Sequence, residues 1–186
     1  AQMARKYFGK PAGEMIPLCW PEADVEEFHG MWRELDFAKP YPLFPGVKEA
    51  VEELAERAYA LAVHTSRTSH TTLRQLSHNN VEHLFSIVQP LEDSPASKPD
   101  VRSVEPILRK FFEAGLGMAD LLYVGDAVNF DWEMSRRLGI DFTGGTPGMN
   151  TKEEFLLAGL PAERILASVA DLPDALAVDP VRDHPR

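Results

Sequence analysis

From residue 46 onward the chain alternates two patterns, and that alternation limits its fold more than any other feature. Val47, Ala50, Val51, Leu54, Ala55 and Ala58 recur at helical spacing, and the short apolar run YALAVHT follows them. A polar helix holding Leu73 and Leu76 then leads to HLFSIVQ. A third cycle starts at SKPD, passes through Ile107, Leu108, Phe111 and Phe112, and ends in LLYVGD. A fourth runs from WEMSRRLGI to DFTGGTPG, and RILASV supplies a last short strand. Strands separated by helices run parallel, because a parallel pair needs a crossover of about a dozen residues. The expected fold is therefore α/β: a parallel sheet flanked by helices, with strands near residues 60–65, 84–88, 121–125 and 141–144.

The first 44 residues read differently. Two helix-like stretches, AQMARKYFG and EADVEEFHGMWRELDFA, are separated by Pro11, Pro17 and Pro21. The segment KPYPLFPG then places Pro40, Pro42, Pro45 and Gly46 where a helix cannot continue. This predicts a small helical unit at residues 1–44, its core filled by Cys19, Trp20, Phe28, Trp32 and Phe37, and an α/β core at residues 45–186. With 44% hydrophobic and 26% charged residues the chain has the balance of a folded globular protein. Its net charge of −10 argues against a nucleic-acid partner held by phosphate contacts. The single cysteine, Cys19, excludes an intrachain disulfide framework and a cysteine-cluster metal site. No run reaches the roughly 18 apolar residues of a membrane helix, and AQMARKYFGK lacks the apolar stretch of a signal peptide, so a cytoplasmic setting without a membrane partner is expected.

In open parallel sheets, ligands gather at the carboxyl ends of the strands. The residues found there are His64, Thr65, Ser66 and Arg67; Ser97, Lys98 and Pro99; Gly125, Asp126, Asn129 and Asp131; and Gly144 and Gly145. Hydroxyl, ammonium and a carboxylate pair converge on one edge. Paired acids suit a hard cation such as magnesium, and a phosphoryl group brought to that ion needs donors of the lysine and hydroxyl kind. Each residue also has a plainer reading. Asp126 and Asp131 would cap the helix that follows, Lys98 would be a loop lysine, Thr65 and Ser66 would end a strand, and Arg67 reads as solvated. His64, on an apolar strand, reads as a satisfied, partly buried histidine. His70, His78 and His83 lack the spacing of a helical metal couple and read as surface or helix-end residues. Arg5, Lys6 and Lys10 read as a solvated helix face, the alternative being a surface that recognises an anionic substrate.

After the proline-rich entry FPGVKEAVEEL, the segments AVHTSR, SKPD and LLYVGDAVNFD resemble, in order, motifs two, three and four of the haloacid dehalogenase superfamily, in its phosphoglycolate-phosphatase-like branch, over residues 41 to about 175. The resemblance implies a flavodoxin-like (Rossmannoid) sheet with a small helical cap inserted after the first strand. It also implies magnesium-dependent hydrolysis of a small phosphorylated metabolite through an aspartyl-phosphate. On that resemblance Thr65 and Lys98 are catalytic, Thr65, Ser66 and Lys98 bind the phosphate, and Asp126 and Asp131 hold or orient magnesium. One motif has no counterpart. The family nucleophile lies in a DxDGT-like motif on the first, central strand. Here the earliest aspartate, Asp24, sits in PEADVEEF, with no apolar strand before it and no second aspartate two residues on. The expectation is a nucleophile strand upstream of residue 1, and, in its absence, two unpaired edges facing each other within the sheet. A phosphomutase, and an inactive relative serving as a binding or scaffold protein, remain open as further readings.

Overall fold

The computed structural model describes residues 7, 10–38, 40–146 and 148–178, without the side chains of residues 33, 36–38 and 178. Helices α1 (Ala12–Cys19) and α2 (Val25–Ala38) lie ahead of the sheet. Pro17 lies inside α1 rather than ending it. In so short a helix its missing N–H removes a single bond, and the last turn closes through Trp20 N donating to Ile16 O at 2.8 Å. Met15 and Ile16 are buried. Trp20, Phe28 and Trp32 stack in series at 5.9 and 6.0 Å. Trp20 and Trp32 nevertheless stay 46% and 42% exposed, so the aromatics cover this unit rather than fill it. The Phe37 side chain lies outside the described residues. Among the described residues no helix is long and apolar enough to cross a membrane.

The proline-rich connector is tied to the sheet unit by amide side chains. Tyr41 N donates to Gln75 Oε1 at 2.9 Å, and Leu43 N donates to Asn79 Oδ1 at 3.1 Å. Helix α3 (Val47–Glu56) follows, burying Ala50 and Leu54. The alternation expected from sequence then runs as β1 (Ala62–His64), α4 (Ser69–His78), β2 (Ile87–Gln89), α5 (Glu105–Glu113), β3 (Leu122–Gly125), α6 (Glu133–Leu138), β4 (Asp141–Gly145), α7 (Lys152–Leu157), β5 (Ile165–Leu166) and α8 (Leu172–Val178). Strand β2 begins later than its apolar run, because Glu82–Leu84 form a 3-10 turn. Helix α6 stops at Gly139, whose φ of 69° is the left-handed cap that glycine adopts without a Cβ clash. One apolar layer joins Ile87 of β2 to Ile107 and Leu108 of α5 and Met134 of α6. A second gathers Phe142, Phe155, Leu160 and Ile165.

All three strand ladders are parallel, and they fall into two pieces, β1–β2 and β3–β4–β5. Ser86 N donates to Leu61 O at 2.9 Å and Thr65 N to Gln89 O at 3.2 Å, so the odd-numbered backbone groups of β1 face β2. Strand periodicity therefore turns the N–H and C=O of Ala62 and His64 toward the opposite edge. Lys98 Nζ lies within reach of both His64 O, at 3.4 Å, and Tyr123 Oη of β3, at 3.1 Å, which places that edge toward β3. Strand β3 is only half-buried along its length, whereas Phe142 to Gly145 of β4 are buried. The expected single sheet is thus split between β1 and β3, each presenting an edge with no ladder partner among the described residues.

Candidate active site

Thr65 leaves the end of β1, and its Oγ1 accepts from Arg67 N at 3.2 Å, which turns the chain sharply. Ser66, between them, is half-buried. Arg67 is exposed, but its guanidinium sits over the Tyr41 ring at 5.7 Å instead of standing free in solvent. Lys98 arrives from the loop after β2 and is only 12% exposed. Its ammonium donates to Asp131 Oδ1 at 2.8 Å, to Tyr123 Oη at 3.1 Å and to His64 O at 3.4 Å. Burial works against the charged amine, but Tyr123 and Asp131 facing it hold Lys98 above the ordinary lysine range.

Asp131 projects from a π-helical turn, Val128–Trp132, immediately after β3. Its Oδ2 accepts from Asp126 N and Ala127 N, both at 3.2 Å, while Oδ1 takes Lys98. Both oxygens are occupied, and the residue is buried. Asp126 is different: it is exposed, and its Oδ2 accepts from Met149 N at 2.9 Å. Partial burial, and then the charge of Asp131, raise its carboxyl above the usual range. The loop after β4 wraps this residue, with Asn150 N donating to Asp126 O at 3.0 Å and Val128 N to Asn150 Oδ1 at 2.9 Å. Sequence reasoning passed over Asn150, since its role depends on a loop closing from the next strand.

Of the sequence-predicted set, Lys98, Asp126 and Asp131 come together, with Thr65 one residue beyond the His64 carbonyl that Lys98 touches. Asp24 does not join them: its Oδ1 accepts from Glu27 N at 2.9 Å, capping α2. His70, His78 and His83 are exposed, as expected. Arg5 and Lys6 lie outside the described residues. Lys10 pairs with Glu14 at 2.9 Å, and Glu14 Oε1 accepts from Ser97 Oγ at 2.7 Å. These residues border a cavity of about 500 Å³ shared with Lys98, Asp100 and Arg137, so Lys10 faces the loop that carries Lys98.

Among the described residues no group of three or more histidine, cysteine or acidic side chains gathers for a metal. Magnesium does not require one, since it keeps several waters and binds through one or two carboxylates plus substrate phosphate. The exposed Asp126 carboxylate fits that manner of binding, and the occupied Asp131 fits the part of a neighbour that sets its position.

The sequence profile of the haloacid dehalogenase-like hydrolase family matches residues 2–144. The chain belongs to that family. It is 33% identical over 141 residues to a phosphoglycolate phosphatase from Haemophilus influenzae, covering 76% of this chain and 61% of that one. A phosphoglycolate phosphatase from Synechococcus elongatus is 28% identical over 134 residues, covering 72% and 59%. The chain thus spans about three fifths of the length of these relatives. Its fold is shared with a hydrolase from Pseudomonas syringae, with a TM-score of 0.75 at 21% identity, covering 95% of this chain and 82% of that one. It is also shared with a haloacid dehalogenase-like family protein from Streptococcus pneumoniae, with a TM-score of 0.71 at 21% identity, covering 94% and 80%.

A glycine sets the spacing of this haloacid dehalogenase-like site. A Cβ on Gly125 would stand 2.5 Å from Asp131 Cβ and 2.6 Å from its Cγ, atoms close to the backbone that cannot swing aside. Gly125→Ala is therefore expected to push Asp131 off Lys98 and lower stability by about 1–3 kcal/mol, the range for overpacking a tight site. Thermal unfolding measures this, and an unchanged midpoint would contradict the close approach.

Proposed function

We propose that this haloacid dehalogenase-like chain acts as a magnesium-dependent phosphomonoester hydrolase of the phosphoglycolate-phosphatase kind, on a small phosphorylated metabolite. The observation that carries the reading is the buried Lys98 ammonium, held at the strand ends beside Asp131 and next to the Thr65 turn. A fixed cation and a hydroxyl at one edge suit a phosphoryl group, whose charge both can neutralise. In this reading an aspartate on a strand between β1 and β3 attacks phosphorus and the alcohol leaves. Water then cleaves the aspartyl-phosphate to free phosphate and regenerate the carboxylate. Lys98, with Thr65 and Ser66, grips the phosphoryl oxygens. Magnesium, when bound at Asp126, supplies neutralising charge. Residues 1–44 form the cap, with Lys10 on its inner side, and residues 45–186 the core. The second reading, an inactive binding protein, is favoured by Asp24 serving as a helix cap and by both Asp131 oxygens being occupied, so that neither is a free nucleophile.

The test is release of phosphate from phosphoglycolate by a form that includes the strand between β1 and β3. Turnover should depend on magnesium, and Asp126→Asn should lower it by roughly a hundredfold or more, the scale of losing one stabiliser of developing charge. Unchanged magnesium-dependent turnover in that variant would overturn the role of Asp126. Absence of turnover in the unsubstituted form would leave the binding-protein reading.

A further inference from the structure

Lys98 has three N–H donors and the chain provides three acceptors, yet they are unequal. Asp131 Oδ1 stands at 2.8 Å, Tyr123 Oη at 3.1 Å and His64 O at 3.4 Å. The phenol has one proton to give and two acceptors within reach: His64 Nδ1 at 3.0 Å and Asp131 Oδ1 at 3.4 Å. Donation to Asp131 would make Tyr123 compete with Lys98 for the same oxygen. Donation to His64 leaves that oxygen to the ammonium. His64 can accept only if its Nδ1 carries no proton. A neutral imidazole whose Nδ1 accepts from the phenol carries its single proton on Nε2. Burial, and then the Lys98 charge, depress the imidazole to a pKa of about 3, so the ring is neutral throughout the physiological range. Edge-on packing of His64 against Tyr123, and stacking of Tyr123 on Phe142 at 6.3 Å, fix both rings.

We propose that His64 and Tyr123 are a positioning pair for Lys98: the Nδ1 of His64 draws the phenol proton, and Tyr123 turns a lone pair to the ammonium. The pair spans the open edges of β1 and β3 beneath the site, and neither residue touches the phosphate. Two Lys98 protons are thereby committed to Tyr123 and Asp131. The third, on the long contact to the His64 carbonyl, is the one a bound anion recruits. That last step rests on the phosphatase reading above. The hydrogen-bond order does not.

The experiment uses the 186-residue chain labelled with ¹⁵N-histidine, together with inorganic phosphate as the probe. The His64 nitrogens should report an Nε2–H tautomer with a hydrogen-bonded Nδ1, and Tyr123→Phe should shift the Nδ1 signal toward that of a free acceptor. Tyr123→Phe and His64→Leu should each weaken phosphate binding by roughly five- to tenfold, the effect of one hydrogen bond. The double variant should be no weaker than either single one, because His64 acts through Tyr123. His64→Asn, whose Oδ1 replaces the Nδ1 acceptor, should retain wild-type affinity and controls for mere loss of packing. A proton found on Nδ1, additive losses in the double variant, or equal losses in His64→Leu and His64→Asn would overturn the proposal. If the wild-type chain binds no phosphate, the recruitment of the third Lys98 proton by an anion fails. The tautomer and its response to Tyr123→Phe then decide the pair alone.

Discussion

Asp131→Ala should destabilise this protein more than removal of the lysine that Asp131 pairs with. Both side chains are buried, at 7% and 12% exposure. Removing the acid leaves the Lys98 ammonium without a counter-charge and strips the acceptor from Asp126 N and Ala127 N. Breaking a buried pair in this way costs about 3–5 kcal/mol. At about 2–4 °C per kcal/mol for a chain of this size, the melting midpoint should fall by roughly 10 °C. Lys98→Met should cost less, since Asp131 keeps its two backbone donors. The double substitution should cost clearly less than the sum of the two. The pH of measurement matters through its sign. The folded state holds Lys98 above its unfolded value, so this contribution is fully present below the unfolded lysine pKa of about 10.4 and fades only as pH rises past it. Neutral pH therefore reads it in full. A Lys98→Met midpoint equal to or below that of Asp131→Ala, or additive losses, would show that the pair is not the uncompensated charge described here.

The α/β order was legible because each crossover carries its own apolar spacing. Ala50 and Leu54 in α3, and Ile107 and Leu108 in α5, are buried on the face that periodicity assigns. Apolar runs locate strands less sharply, since they mark burial rather than pairing. HLFSIVQ spends its first residues on a 3-10 turn before β2 begins. That Lys98, Asp126 and Asp131 come together could be read from sequence, because each follows a strand at the edge where parallel sheets collect ligands. The different surroundings of the two acids could not be read. It depends on the π-helical turn that carries Asp131 back over Gly125 and leaves Asp126 outside. His64 and Tyr123 were equally opaque as a pair. Each is one polar interruption in an apolar run, 59 positions apart, and only the juxtaposition of two strand edges brings them together.

Supplying a strand to the slot between β1 and β3 should produce the largest functional change available to this protein. On the β1 side the N–H and C=O of Ala62 and His64 face away from β2, and the Lys98 ammonium is one weak partner of the His64 carbonyl. Unpaired strand edges inside a sheet are costly, and a parallel segment between them would satisfy both at once. Its carboxyl end would emerge beside Thr65, Lys98 and Asp126, where the proposed phosphoryl group sits and where Asp24 and Asp131 provide no free nucleophile. The 186-residue chain alone is expected to hydrolyse phosphoglycolate at no more than the background rate. A longer form beginning with an apolar strand and a DxD motif should turn over with magnesium, and changing the first aspartate of that motif to asparagine should return the rate to background. The same extension should raise the melting midpoint even with the asparagine in place, because strand pairing does not need the carboxylate. Magnesium-dependent phosphate release by the 186 residues themselves would refute the slot as the source of the nucleophile. An extension that restored stability without turnover would instead identify an inactive, binding member of the family.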